Sequence, residues 1–212
     1  MDLDEEMWFS ITPEEVAKQH AKRISDSFQN GIVFDMFCGI GGDLIRYPKS
    51  LFAVCCDLVE SRLHVAAKMH ERLGACRVDF VLTDSVAQKS CFRHKCADAV
   101  YLSPPWGHFG IRNRHIAPVY GYRKLSSLEI DGFKVFSKAL DLAKINNIAY
   151  FLPRGMDMEH LEQLAIMAQS LNRWIIEIHE SFDPDDQTAN EIDRYRVRAI
   201  TLYFGRIAAN IK

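Results

Sequence analysis

Little in this chain is extreme, and what it lacks narrows it first. Across 212 residues no apolar run approaches the roughly 18 that a membrane-spanning helix needs, so no membrane span is expected. Neither sign of charge dominates. Lys and Arg number 26 against 28 Asp and Glu, and a formal net charge of −2 excludes a protein that coats nucleic acid through bulk electrostatics. Any polynucleotide contact has to be local. The six cysteines include no Cys-x-x-Cys pair, and two of them, Cys55 and Cys56, are adjacent in one apolar run. They read as reduced thiols rather than a disulfide framework. Cys91, His94 and Cys96 lack a paired motif and a fourth ligand, so no metal is expected there. Asp183, Asp185 and Asp186, beside Pro184, read as a solvated loop. The acidic opening Met1-Asp2-Leu3-Asp4-Glu5-Glu6 is unlike a secretory or mitochondrial leader and points to an intracellular protein. With 48% apolar and 25% charged residues and no repeat or low-complexity tract, ordinary globular usage remains.

Strand and helix patterns alternate along the chain. Thr12 stands as an N-cap with Pro13 in the first helical position and Glu15 closing a capping box; Val16, Ala17, His20, Ala21, Ile24 and Phe28 then recur at helical spacing. This N-terminal segment, residues 1–30, is expected to pack over the mouth of a catalytic domain spanning 31–212. Strands are expected at Ile32–Phe34, Leu51–Cys56, Val78–Leu82, Ala97–Leu102, Ile148–Leu152, Trp174–Ile178 and Arg196–Phe204. Between them come helices at Glu60–Leu73, capped by Gly74, and after the N-caps Asp131 and Asp157. The alternation predicts an α/β fold with a seven-stranded, mostly parallel, doubly wound sheet, helices on both faces and ligands at the strand C-terminal ends.

The strand ends carry the chemistry. Ser103-Pro104-Pro105-Trp106 follows the run to Leu102: the Ser hydroxyl and the Pro104 carbonyl can accept from an exocyclic amine, the indole can stack on the ring bearing it, and the prolines stiffen the turn. Upstream, Asp35-Met36-Phe37-Cys38-Gly39-Ile40-Gly41-Gly42 runs from a strand into a glycine turn that lets the backbone approach a nucleoside. Leu44 stands where a dinucleotide fingerprint would place its third glycine, which disfavours nicotinamide cofactors. Asp35 suits the ammonium of a methionine moiety, Asp57 suits ribose hydroxyls, and Asp84 suits an adenine amino group. Each alone reads as a helix N-cap. Together, ahead of Ser-Pro-Pro-Trp, they indicate a Rossmann-like methyltransferase that uses S-adenosylmethionine and acts on an amino group.

Five motifs in order resemble the trimethylguanosine synthase family: Trp8-Phe9-Ser10-Ile11-Thr12-Pro13-Glu14, Asp35 to Gly42, Leu102-Ser103-Pro104-Pro105-Trp106-Gly107, Phe151-Leu152-Pro153-Arg154 and Thr201-Leu202-Tyr203-Phe204-Gly205. The resemblance implies methyl transfer to N2 of a 7-methylguanosine RNA cap, by a monomer acting in the nucleus. It gives Asp35, Asp57 and Asp84 to the cofactor, adds Phe9 and Thr12, and brings in the neighbours Phe37, Gly39, Gly41, Leu58 and Ser85. Ser103 and Pro104 would hold the amine, Trp106 would stack on the cationic guanine, and Arg154 would face the cap phosphates. Lys68 is a further candidate for the substrate side, in Lys68-Met69, where relatives carry paired asparagines. Asp2 stands where relatives tend to be basic, and His108 replaces a glycine. The stretch from Phe109 to Leu125 is longer than usual and carries Arg112, Arg114, His115, Arg123 and Lys124 among aromatic residues, which suits contacts to phosphates and bases.

Overall fold

The computed structural model describes residues 11–87, 92–106, 124–170, 173–182 and 195–211. Its elements, in chain order, are α1 (Glu14–Ser27), β1 (Ile32–Asp35), β2 (Phe52–Asp57), α2 (Glu60–Leu73), β3 (Arg77–Leu82), β4 (Ala99–Leu102), α3 (Gly132–Leu142), β5 (Ile148–Pro153), α4 (Met158–Met167), β6 (Ile175–Phe182), β7 (Tyr195–Tyr203) and α5 (Gly205–Ala209). Short 3-10 turns lie at Leu44–Arg46 and Leu125–Ser127.

The apolar runs become central strands because only a sheet covered on both faces can bury every residue of a run. All of β4 and β5 is buried, whereas β3, at one edge, alternates between exposed and half-buried positions. The seven strands take the order β3-β2-β1-β4-β5-β7-β6, parallel from β3 to β5 and antiparallel through β7 and β6. This is the expected fold class. The order reverses between β1 and β4, and an open sheet has its crevice at that point, beyond the strands' C-terminal ends. Register puts Asp35 opposite Tyr101, so Ser103 follows two residues beyond the partner of Asp35.

One face of the sheet packs Ala21 and Ile24 of α1, Leu63 of α2 and Ile207 of α5 against Tyr101, Phe151 and Tyr203. The other packs Val135 and Phe136 of α3 and Leu161 and Leu164 of α4 against Phe34, Val100, Leu102 and Leu202. Local signals set several boundaries. Asp131 caps α3 by accepting from the Phe133 and Lys134 amides at 2.9 and 3.4 Å, and Asp157 caps α4 by accepting from the Glu159 amide at 3.0 Å.

Two end signals work differently from expectation. Thr12 makes no cap, because its hydroxyl donates instead to Asp43 Oδ2 at 2.6 Å, and Glu15 is left on the surface with Lys18. A charge-assisted bond to a buried carboxylate turns the Thr12 side chain away from the first-turn amides, from which its oxygen would have had to accept. Gly74 does follow α2, yet at φ −78°, a conformation open to any residue; the reason for glycine is space, since a Cβ would run into the His70 ring. β6 also extends to Phe182, and Trp174 lies before it, stacked on Phe204 with centroids 6.4 Å apart. The five described cysteines, Cys38, Cys55, Cys56, Cys76 and Cys96, are free thiols. Cys91, Asp183, Asp185 and Asp186 lie outside the described residues, among which no group of three or more His, Cys, Asp or Glu side chains is placed to hold a metal ion.

Candidate active site

Parallel strands end on the same edge of a sheet, so their C-terminal residues converge without further instruction. Asp35 ends β1, Asp57 ends β2 and Asp84 lies two residues past β3; Ser103 follows β4, and Arg154 follows β5. The first three stand on one side of the β1/β4 crevice and the last two on the other.

Asp35 is buried and, among the described residues, accepts only the Phe37 amide, at 3.1 Å. Burial drives its carboxyl well above the usual carboxylate range, the charge of Asp43 pushes the same way, the Phe37 amide opposes, and Asp57 adds a smaller push upward. A carboxylate in that position favours a cation. Asp57 is better supplied: its Oδ2 accepts the Gly39 amide at 3.0 Å and its Oδ1 the Val59 amide at 2.9 Å. The first of these bonds ties the glycine turn to β2. At φ +52° Gly39 occupies a region that side chains disfavour, and at φ +86° Gly41 has Ala66 Cβ just 3.2 Å from where its own Cβ would be. The turn therefore lies close on α2 and leaves open space at Gly39. Phe37 is half-buried at its start, and Leu58, beside Asp57, is 63% exposed. Asp84 is exposed with Oδ1 on the Val86 amide at 2.9 Å, and the buried Ser85 hydroxyl donates to the Met36 carbonyl at 2.7 Å, fixing the end of β3 beside β1.

Across the crevice, Ser103 is half-buried and Pro104 buried. The Trp106 indole leans on Phe151 of β5, centroids 5.0 Å apart and planes tilted by 53°, and its Nε1 is buried without a partner among the described residues. Arg154 is exposed and donates from Nη1 to the Val197 carbonyl at 3.3 Å. Lys68 lies exposed on α2, and among the described residues no hydrogen bond or ion pair links it to Ser103, Trp106 or Arg154. Phe9 and residues 107–123 lie outside the described residues, while Lys124 is exposed and Leu125 is fully buried, its amide donating to His160 Nδ1 at 3.0 Å.

Sequence reasoning missed a buried polar cluster beneath the glycine turn. Asp43 receives Thr12 Oγ1, Tyr101 OH at 3.1 Å and His20 Nδ1 at 2.8 Å. His20 Nε2 and His179 Nε2 both meet Thr201 Oγ1, at 2.8 and 2.7 Å. His20 looked like one more member of an apolar stripe; a histidine on such a stripe, with an aspartate closing a glycine turn, was the available signal.

The sheet order and the crevice at its reversal define a Rossmann-like methyltransferase fold. A SAM-dependent O-methyltransferase of Thermotoga maritima aligns with TM-score 0.57 at 16% identity, over 92% of this chain and 66% of that one. An rRNA methylase of Streptococcus thermophilus aligns with TM-score 0.53 at 13% identity, over 92% and 98%. Residues 30–202 match the RNA cap guanine-N2 methyltransferase family, and the chain belongs to it. A trimethylguanosine synthase of Schizosaccharomyces pombe is 29% identical over 163 residues, 75% of this chain and 65% of that protein. One of Saccharomyces cerevisiae is 25% identical over 169 residues, 76% of this chain and 51% of that protein. The chain thus spans between half and two thirds of the length of these relatives.

Proposed function

We propose that this chain transfers methyl from S-adenosylmethionine to the exocyclic N2 of a 7-methylguanosine cap on RNA. The observation that carries this reading is the placement of Asp35 and Ser103-Pro104-Pro105-Trp106 across one crevice, at the ends of the paired strands β1 and β4, in a chain of the cap guanine-N2 family.

The residues fit the cofactor. Asp35 is a buried carboxylate short of donors, and an ammonium would supply both charge and hydrogen bonds. Each oxygen of Asp57 already holds a backbone amide but keeps a lone pair for ribose hydroxyls. The open space at Gly39 and the exposed Leu58 frame that approach, and Asp84 faces solvent with one oxygen uncommitted for an adenine amine. Thr12, Phe37, Gly41 and Ser85 shape the pocket wall, with Phe9 assigned to it by family resemblance. When bound, S-adenosylmethionine supplies a methyl group activated by the sulfonium.

What the chain itself contributes is position. An aromatic amine has its lone pair delocalised into the ring, so its reach and orientation decide the rate. The Ser103 hydroxyl and the Pro104 carbonyl hold the two N–H bonds, and the indole, backed by Phe151, presents a flat face to the cationic purine. Arg154, at the rim, takes the phosphates, and Lys68 is assigned to the outer substrate side. The amine's extra proton leaves to solvent after transfer. The same reading makes the protein a monomer acting on capped RNA in the nucleus.

Incubation with isotope-labelled S-adenosylmethionine and either 7-methylguanosine or unmethylated cap dinucleotides, read by mass, tests it. Methylation of the 7-methylguanosine cap on N2 is expected. Equal labelling of both caps, or labelling of internal RNA positions alone, would overturn it.

A further inference from the structure

Asp43 is used by nothing so far, yet it gathers side chains from the segment entering α1, from α1 and from β4. Its Oδ2 accepts Thr12 Oγ1 at 2.6 Å, from the segment entering α1, and Tyr101 OH at 3.1 Å, from β4. Its Oδ1 meets His20 Nδ1 at 2.8 Å, from α1 itself. His20 is fully buried and Asp43 nearly so. One arrangement of donors runs through the cluster. His179 Nε2–H donates to Thr201 Oγ1, Thr201 donates to His20 Nε2, and His20 Nδ1–H donates to Asp43. All the donors point toward Asp43.

Two neighbours make this more than core packing. Behind Asp43 the chain lies against Gly42 so closely that a Cβ there would meet Ile11 Cγ1 at 2.9 Å, with the Thr12 amide nitrogen 3.4 Å away. The Thr12 to Asp43 bond thus fastens residues 11 and 12 onto the glycine turn. In the other direction Tyr101 lies two residues before Ser103, and His20 and His179 flank Phe151, with ring centroids at 5.2 and 5.8 Å, on the residue that backs Trp106. The contrast with Asp35 matters too: of these two among the three buried carboxylates, Asp43 takes the side-chain donors and Asp35 keeps a single amide among the described residues.

We propose that Asp43 is a positioning residue, which locks the segment at Thr12 and the glycine turn into one wall of the cofactor pocket and leaves Asp35 as the carboxylate free to take the cofactor's ammonium. This rests on the cofactor reading above. Thr12, at the pocket, acts through the orientation Asp43 gives it, and Asp43 touches no ligand.

The test is calorimetry with S-adenosylhomocysteine and, separately, a 7-methylguanosine cap dinucleotide, on wild type and Asp43→Asn. An amide in place of the carboxylate removes the charge and turns a donor either toward Thr12 and Tyr101 or toward His20, whichever oxygen it replaces. The expected result is S-adenosylhomocysteine affinity down about tenfold, the scale of one charge-assisted contact, with cap affinity unchanged and stoichiometry kept. A purely structural role would lower the folded fraction, hence stoichiometry, and leave the affinity of the folded molecules alone. A pH series adds a second readout. The groups facing Asp35 are Asp43, Asp57, Tyr47, Tyr101, Cys38 and Cys55; burial raises both tyrosines, the hydrogen bond with Cys38 and then burial raise Cys55, and Cys38 is raised by burial and nearby carboxylates against the opposing bond to Cys55. Removing the Asp43 charge therefore lets Asp35 ionise at lower pH, and the acid-side loss of binding moves down in Asp43→Asn. If that variant does not fold, Thr12→Val and Tyr101→Phe each remove one donor and are expected to weaken S-adenosylhomocysteine binding about threefold. Wild-type affinity in all the folded variants would overturn the assignment. Wild-type protein that fails to bind S-adenosylhomocysteine at all would overturn the cofactor reading itself and this inference with it.

Discussion

Replacing Trp106 by alanine removes a ring whose structural and functional worth can be separated. On the structural side the half-buried indole gives up a tilted contact with Phe151 at 5.0 Å, worth about 0.5–1.5 kcal/mol beyond the apolar area it covers. Truncating a fully buried ring of this size costs about 3–5 kcal/mol, so a lower melting temperature with the fold kept is expected for this half-buried one. On the functional side, alanine loses base stacking worth about 1–3 kcal/mol and a cation–π contribution of about 0.5–2 kcal/mol. Together these lower affinity for a 7-methylguanosine cap by at least about tenfold. Calorimetry on Trp106→Ala with the cap dinucleotide and with S-adenosylhomocysteine reads both sides, and Trp106→Phe should fall between. S-adenosylhomocysteine binding should be unchanged, because the cofactor aspartates lie across the crevice. Undiminished cap affinity in Trp106→Ala, or a wild type that binds unmethylated guanosine caps equally well, would refute the reasoning.

Asp35→Asn should stabilise the ligand-free protein and abolish S-adenosylhomocysteine binding. With its folded-state pKa raised, Asp35 makes the native state hold a proton that the unfolded chain gives up, so stability falls as pH rises from the unfolded value of 3.8 toward the raised one. Each kcal/mol relieved near neutral pH raises the melting temperature about 2–4 °C in a chain this size; no gain in a thermal melt would contradict this. His179 has the opposite dependence. Burial and the adjacent His20 pull its pKa from 6.5 to about 4, so its contribution is present above 6.5 and lost as pH falls toward 4. His179→Gln should flatten the stability curve over that window in denaturant titrations at stepped pH. Arg154→Ala, at an exposed site, should leave the melt alone while weakening cap dinucleotide binding and reducing its salt dependence; an unchanged salt slope would remove Arg154 from the phosphates.

The strands were legible because fully buried parallel strands leave unbroken apolar runs, as at Ala99–Leu102 and Ile148–Pro153. The caps Asp131 and Asp157 were legible because donor and acceptor lie within three residues of each other. Thr12 misled for the converse reason: its partner Asp43 is 31 positions away, and the nearer Glu15 offered a false match. The cluster around His20 was still less accessible, since Thr201 lies 181 positions downstream and only the sheet order brings them together. The strand-end aspartates could be placed from sequence because topology puts every parallel strand end on one edge. Lys68 was chosen from its motif position, and helical geometry then decided which way it faced.

Sheet order 3-2-1-4-5-7-6 divides this molecule into two halves at one seam. One half ends in carboxylates and the other in a proline-stiffened aromatic and an arginine, and β1 and β4 pair along the seam between them. On the proposed function, retooling such an architecture for another recipient of a methyl group calls for edits downstream of residue 99 and at Lys68. Asp43, reaching Tyr101 over that seam, is a carboxylate that such a redesign would have to leave in place together with Asp35 and Asp57.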